Sequence, residues 1–291
     1  MKSVIALFIA AMLSLSLILL VVNVNSIMVL SSGEEYWGKL IDVTIIPHMD
    51  VDVNGSIYFT GNYIHDILLI KLNSSCDMLW AKEYVLKIPY QSPYVERVAG
   101  LVISGNMIYI AGSMGVTGGY DLDTFIAIIN KDTGEVKRIL RLVSPLLDDY
   151  ITGLAFNEKD KSIYVLGEFY NKSTEEFRVF IAKINTTGNI VWVKILKYID
   201  FLYERAVNVY VDEEGYIYAT GIVVDKNNNP HTFIAKIDSN GNILKNIILK
   251  NMTIPTDMVF DPDGYIYIDI SSNPLKLEAF IIKMTKDLEI V

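Results

Sequence analysis

The chain has 291 residues, 52% of them hydrophobic, enough for a sizeable core, and 34 acidic against 25 basic residues give a net charge of -9. A surface this acidic repels phosphate backbones, and with no Lys/Arg cluster it excludes nucleic-acid binding. Cys76 is the single cysteine, so no intramolecular disulfide can form and stability must come from packing.

The first predicted element is N-terminal. MKSVIALFIAAMLSLSLILLVVNVNS has one cation, Lys2, followed by an apolar run from Val4 to Val22 without a polar face. This pattern predicts export, with residues 1–26 acting as a cleaved signal peptide or as a retained signal anchor. Both alternatives place the rest of the chain at the cell surface or outside, in membrane contact only through residues 1–26 if uncleaved. Five N-x-[S/T] sequons, at Asn54, Asn73, Asn171, Asn185 and Asn251, agree with export and are the expected glycosylation sites. Residues 27–35 read as a short linker.

From about residue 36 a single unit recurs. Ile-Tyr occurs at Ile57-Tyr58, Ile108-Tyr109, Ile163-Tyr164, Ile217-Tyr218 and Ile266-Tyr267, at spacings of 51, 55, 54 and 49 residues. Each unit predicts four short strands, in keeping with the many Ile, Val and Tyr residues. The first strand ends in a tight turn opened by Asp and closed by Gly, as at Asp52 and Gly55, Asp212 and Gly215, and Asp261 and Gly264. The second holds Ile-Tyr and ends at Gly61, Gly112, Gly167 or Gly221, with Ile270 in the fifth unit. The third is FIAKI-like and includes Lys71, Lys183, Lys236 and Lys283. The fourth carries Trp80 or Trp192, with Lys137 and Lys245 as expected equivalents.

Four antiparallel strands recurring about every 50 residues are the signature of an all-β, five-bladed β-propeller. The expected blades are 42–87, 88–143, 144–198, 199–250, and 251–291 completed by 36–41. The pattern D-x-x-G-x-[IV]-Y-x-x-G, F-I-A-K-[IL], G-N-I-x-W resembles the SBBP family of secreted propeller repeats, and more loosely the quinoprotein and NHL repeats. The resemblance runs from about Tyr36 to the C-terminus and implies fold rather than activity, because the shared residues serve turns and packing.

The last unit stops at Val291, which aligns with Val191, and the Trp192-Val193-Lys194 that follows there is matched by Trp37-Gly38-Lys39. Residues 36–41 are therefore expected to complete the last blade and close the ring. Closure within one chain predicts a monomer, and closure between chains a strand-exchanged oligomer.

Several motifs invite chemistry. Asp50 to Gly55 has the D-x-D-x-N-G opening of a calcium loop, but the bidentate Glu position is Gly61 and the segment falls on a repeated turn. Gly112 to Gly119 lacks the end of a phosphate loop and reads as a loop between strands. His48, His65 and His231 show no metal-ligand spacing, so neither a metal nor another cofactor is expected. Counting back from each turn aligns His48, Gly100, Gly153, Asn208 and Asp257 around the channel, flanked by Glu96-Arg97, Asp149-Tyr150 and Glu204-Arg205. His48, Asn208, Asp257, Arg97, Tyr150 and Arg205 are the candidate ligand-binding residues, with Gly100 and Gly153 expected to leave space beside them.

No catalytic signature stands out, and no catalytic residue is assigned. The expected role is a non-catalytic binding or structural module for carbohydrate or a cell-surface protein partner. The alternative is an extracellular glycan hydrolase or lyase using Asp257, Glu96 or Glu204.

Overall fold

The computed structural model describes residues 45–63, 66–85, 93–116, 122–142, 147–171, 176–198, 200–250, 252–273 and 278–291. They form five antiparallel sheets, one per sequence repeat. The first holds β1 (Ile45–Val51), β2 (Ile57–Tyr63), β3 (Asp66–Leu72) and β4 (Met78–Tyr84). The second holds β5 (Pro93–Ser104), β6 (Met107–Val116), β7 (Leu122–Asn130) and β8 (Val136–Leu142). The third holds β9 (Leu147–Asn157), β10 (Ser162–Asn171), β11 (Glu176–Asn185) and β12 (Ile190–Leu196). The fourth holds β13 (Tyr203–Val211), β14 (Ile217–Val224), β15 (Pro230–Ile237) and β16 (Ile243–Leu249). The fifth holds β17 (Ile254–Phe260), β18 (Tyr265–Asn273) and β19 (Glu278–Thr285). The expected fourth strand of this last sheet, residues 36–41, lies outside the described residues, as do the signal or anchor segment, the linker, His65 and Asn251.

The repeated turn explains its own sequence. Asp52, Asp212 and Asp261 each accept the backbone N–H four residues on, at 3.0, 2.9 and 2.7 Å. Gly55, Gly215 and Gly264 take the left-handed conformation, with φ of 80°, 88° and 87°, that closes the turn without a steric penalty. The second carboxylate oxygen of Asp52 and Asp212 accepts the hydroxyl of Tyr58 and Tyr218, at 3.2 and 3.1 Å. A single motif thus sets the turn and satisfies a tyrosine whose ring is wholly buried.

Successive sheets pack through their first strands, β1 on β5, β5 on β9, β9 on β13 and β13 on β17. These strands line the inside of the assembly. Each of four apolar clusters draws on two consecutive sheets, so the core lies in the seams rather than at one centre. Each sheet accordingly has a forward face, towards the next sheet in the chain, and a rear face towards the previous one.

Two expectations are corrected. Gly112 to Val116 belong to β6, all pairing with β5 and Gly112 to Gly115 with β7 as well, so this part of the Gly-rich stretch is strand rather than loop. Arg138, not Lys137, takes the register of Trp192, because it pairs with Ile128 as Trp192 pairs with Lys183. The cause is turn length: Gly134 N–H reaches back four residues to Asn130, whereas Gly188 reaches back three to Asn185.

Candidate functional site

Each innermost strand breaks register at the same place. The break falls between Ile45 and His48, Val98 and Gly100, Ile151 and Gly153, Ala206 and Asn208, and Pro255 and Asp257. A bulge bends a strand and re-aims the side chain that follows it. The five aligned positions are thus equivalent in three dimensions.

What occupies them differs. His48 is half-buried, and its Nε2 carries the proton, because it donates to the Val98 carbonyl at 3.1 Å in the next sheet. Burial, and then the charge of Arg97, hold its pKa below the ordinary value, against the opposing pull of the Val98 bond. Gly100 and Gly153 leave no pocket. A Cβ on Gly100 would lie 2.6 Å from that of Leu154, and one on Gly153 would lie 2.6 Å from Asn208 Oδ1. They are glycine because neighbouring inner strands meet backbone to backbone, which corrects the expectation of free space.

Asn208 and Asp257 are joined through Tyr210. Asn208 Nδ2 donates to Tyr210 Oη at 3.1 Å, and that hydroxyl donates to Asp257 Oδ1 at 3.1 Å, crossing from the fourth sheet to the fifth. Burial, then the Asp257 charge, drive the Tyr210 pKa upward, so it stays a neutral donor. Asp257 also accepts Met258 N–H at 2.8 Å.

The remaining candidates also take part in the frame through their backbone. The carbonyls of Arg97, Tyr150 and Arg205 press on Gly112, Gly167 and Gly221, where a Cβ would come within 2.2, 2.3 and 2.2 Å. Arg205 Nε donates to buried Glu168 at 2.7 Å, and its guanidinium lies over the Phe177 ring at 5.8 Å. Glu204 is 0% exposed and accepts the backbone N–H of Val179 and Tyr198, at 3.3 and 2.8 Å, so it is structural. Nothing is described of the Glu96 side chain. Asp149 and Tyr150 are half-buried and bonded.

The other motifs resolve as packing. Asp52 is taken up by Asn54 N–H, Ser56 N–H, Tyr58 and Lys131, which leaves the calcium-like segment a turn. Lys71, Lys183, Lys236 and Lys283 each lie over a tyrosine ring. His231 meets Asp225 at 3.3 Å. Among the described residues no group of His, Cys, Asp and Glu could hold a metal ion. Of the sequons, Asn54 is exposed, while Asn73 and Asn185 accept turn N–H groups with their side chains.

The structure adds residues that sequence reasoning missed. Asp269 stands directly opposite Asp257 on β18, where the other sheets have Thr60, Ala111, Leu166 and Thr220. Both carboxylates are exposed, and Thr256 Oγ1 donates to Asp269 Oδ2 at 2.7 Å. Like charges in direct opposition weaken a sheet, so this pair runs against structural economy. A signal was present: Asp257 lies four residues before Asp261, and Asp269 four after Tyr265, symmetric about the turn.

No family model matches the chain, and no curated protein matches it in sequence. Solved structures do resemble it. A Hadza microbial sialidase, Hz136, superposes with a TM-score of 0.53 at 12% identity, over 76% of this chain and 52% of its own. An ulvan lyase of a new polysaccharide lyase family gives 0.54 at 11% identity, over 84% and 68%. The apocarotenoid oxygenase of Synechocystis gives 0.53 at 11%, over 89% and 64%. The chain thus spans about half the length of the sialidase. At such identities the likeness is one of fold: the five sheets are those of a β-propeller.

Proposed function

We propose that this is an exported β-propeller that acts on polysaccharide, with Asp257 and Asp269 as the carboxylate pair of a glycan-cleaving site. The observation that carries the reading is the direct opposition of the two side chains. Cross-strand Cβ atoms lie about 4.5–5.5 Å apart, a spacing from which the two carboxyl groups can reach the separation of about 5–5.5 Å used by a retaining glycosidase. Tyr210 and Thr256 orient one carboxylate each, and Asn208 extends the polar stripe along which a sugar chain would lie. The acidic surface favours a neutral polysaccharide over a uronic-acid or sulfated one. Propeller folds shared with a sialidase and an ulvan lyase support a carbohydrate substrate class.

The test is release of reducing ends from a panel of neutral polysaccharides. Asp257→Asn and Asp269→Asn should each lower turnover by about 10²–10⁴-fold with binding retained. Turnover unchanged in both variants, or absent from the wild type on every substrate, sinks the cleaving reading.

A second reading, carbohydrate binding without cleavage, is favoured by one observation. Glu204, the other described candidate acid, is sealed among backbone donors. Binding that is lost in Asp257→Ala, in a protein without turnover, would support it.

The same proposal includes export through residues 1–26, sequon use, kinship with the SBBP repeats, and a fifth blade completed by residues 36–41. Deleting residues 36–41 should expose an edge strand and cause association. A monomer of unchanged melting temperature would refute that completion.

A further inference from the structure

The strands β4, β8, β12 and β16 each stand at the end of their sheet, bonded to the third strand on one side, and among the described residues nothing pairs with their other edge. An unpaired edge is a template for a further strand, and proteins blunt it with polar or charged side chains. Three of the four do so. Opposite Ile70, Ala127, Ala182 and Ala235 of the third strands stand Ala81, Ile139, Val193 and Asn246, and opposite Leu68, Phe125, Phe180 and Phe233 stand Glu83, Arg141, Ile195 and Ile248. Thus β4 has Glu83, β8 has Arg141 and β16 has Asn246 on this side, whereas β12 has only Val193 and Ile195. These two are 51% and 55% exposed, and Val191, in the bulge before them, is 54% exposed. From Ile190 to Leu196 the strand has no proline or glycine and a single charge, Lys194, the composition of a segment that pairs readily.

What fits this edge follows from its order of residues. Two copies of β12 laid antiparallel about a two-fold axis at Val193 place Lys194 of one against Trp192 of the other, and Ile195 against Val191. The one charge then meets an aromatic ring instead of its own copy. The third sheet already makes that pairing on the other side of β12, where Lys183 stands opposite Trp192. Both side chains are held in place beforehand: Trp192 Nε1 donates to the Ser239 carbonyl at 3.2 Å, and the stem of Lys194 lies against Gly241. Preorganised groups lose less freedom on association. The same operation fails on the other outer strands. About Ile139 it sets Lys137 against Arg141, a destabilising opposition of like charges. About Ala81 it sets Glu83 against Leu79, and about Asn246 it confronts two amides, each already accepting the Tyr198 hydroxyl at 3.2 Å.

We propose that this protein forms a two-fold dimer in which β12 of one copy pairs with β12 of a second copy, centred on Val193, so that two third sheets become one continuous sheet. The Asp257–Asp269 pair lies on the fifth sheet and takes no part. The edge is also distinct from the one that residues 36–41 would cover, which belongs to the fifth sheet. Each chain carries a net charge of -9, so long-range repulsion opposes pairing and added salt should favour it.

The experiment uses the full-length protein carrying Cys76→Ser, in a non-ionic detergent. Light scattering should give the mass of two chains, with a dimer fraction that rises with salt. After a short bismaleimide, Val193→Cys should yield dimers linked between the two residues 193, while Ile139→Cys, at the matching position of β8, should yield few. Val193→Lys, which opposes two cations at the axis, should halve the mass with the circular dichroism of the sheets retained. A wild type of one-chain mass, equal linking at 193 and 139, or a dimer fraction that falls with salt would each overturn the proposal. So would a dimer that survives Val193→Lys, which would assign association to residues 1–26 or 36–41.

Discussion

Gly221 shows how little freedom single residues have here. A Cβ at that position would meet the Arg205 carbonyl at 2.2 Å and the Phe233 ring at 2.4 Å, and Gly112 and Gly167 are hemmed in alike. Gly221→Ala should therefore cost about 1–3 kcal/mol through overpacking, read as a lowered urea midpoint. Gly105, with φ of 56° and nothing within 4 Å, supplies the contrast. Gly105→Ala should cost only about 1 kcal/mol, from backbone strain alone. His48 makes a pH prediction. Its folded pKa is depressed by burial first, so it is neutral in the fold while the unfolded chain would already bind a proton. Its stabilisation is complete above the ordinary value of 6.5 and is lost as pH falls from there through the folded value. Between about pH 7.5 and about pH 5.5 the urea midpoint should fall less in His48→Gln than in the wild type, because glutamine does not titrate. An equal fall in both would contradict the assignment.

At the scale of strands and sheets, legibility in the sequence followed range. The turn at Asp212 and Gly215 was readable because every bond in it spans a few residues. The bulges were not, since a register break is a relation between two strands, and the Arg138 displacement shows one extra turn residue shifting a whole strand. Asp269 was missed for a related reason: it gains meaning only once β17 and β18 are paired. Glu204 was legible as a charged position but not as a buried one, because its donors, Val179 and Tyr198, come from elsewhere in the fold. The bonds between sheets predict the next result. Glu168→Ala removes the acceptor of the buried Ala206 N–H, which it holds at 3.2 Å, and should cost about 1–3 kcal/mol. Glu168→Gln, which keeps an acceptor, should cost less, and chemical denaturation of the two variants compares them.

For the molecule as a whole, the five-repeat architecture was legible, because periodicity is a property of the chain itself, whereas the differences between its joints were not. One of those differences governs mechanical behaviour. Pro255 and Ile222 leave the joint between the fourth and fifth sheets without the bond from second strand to inner backbone that the three preceding joints possess, where Asn62, Ser113 and Glu168 accept the N–H of Val98, Ile151 and Ala206. A row of near-identical joints under thermal or tensile load parts at the weakest one, so this molecule has a preferred line of fracture. Native-state hydrogen exchange should show the amides of β17 and β18 opening before those of β9 and β10. If all five sheets exchange at one common rate, there is no such line. If they do not, the fifth sheet can peel away as a flap while the other sheets hold, and a proline chosen for an inner strand sets where the molecule gives.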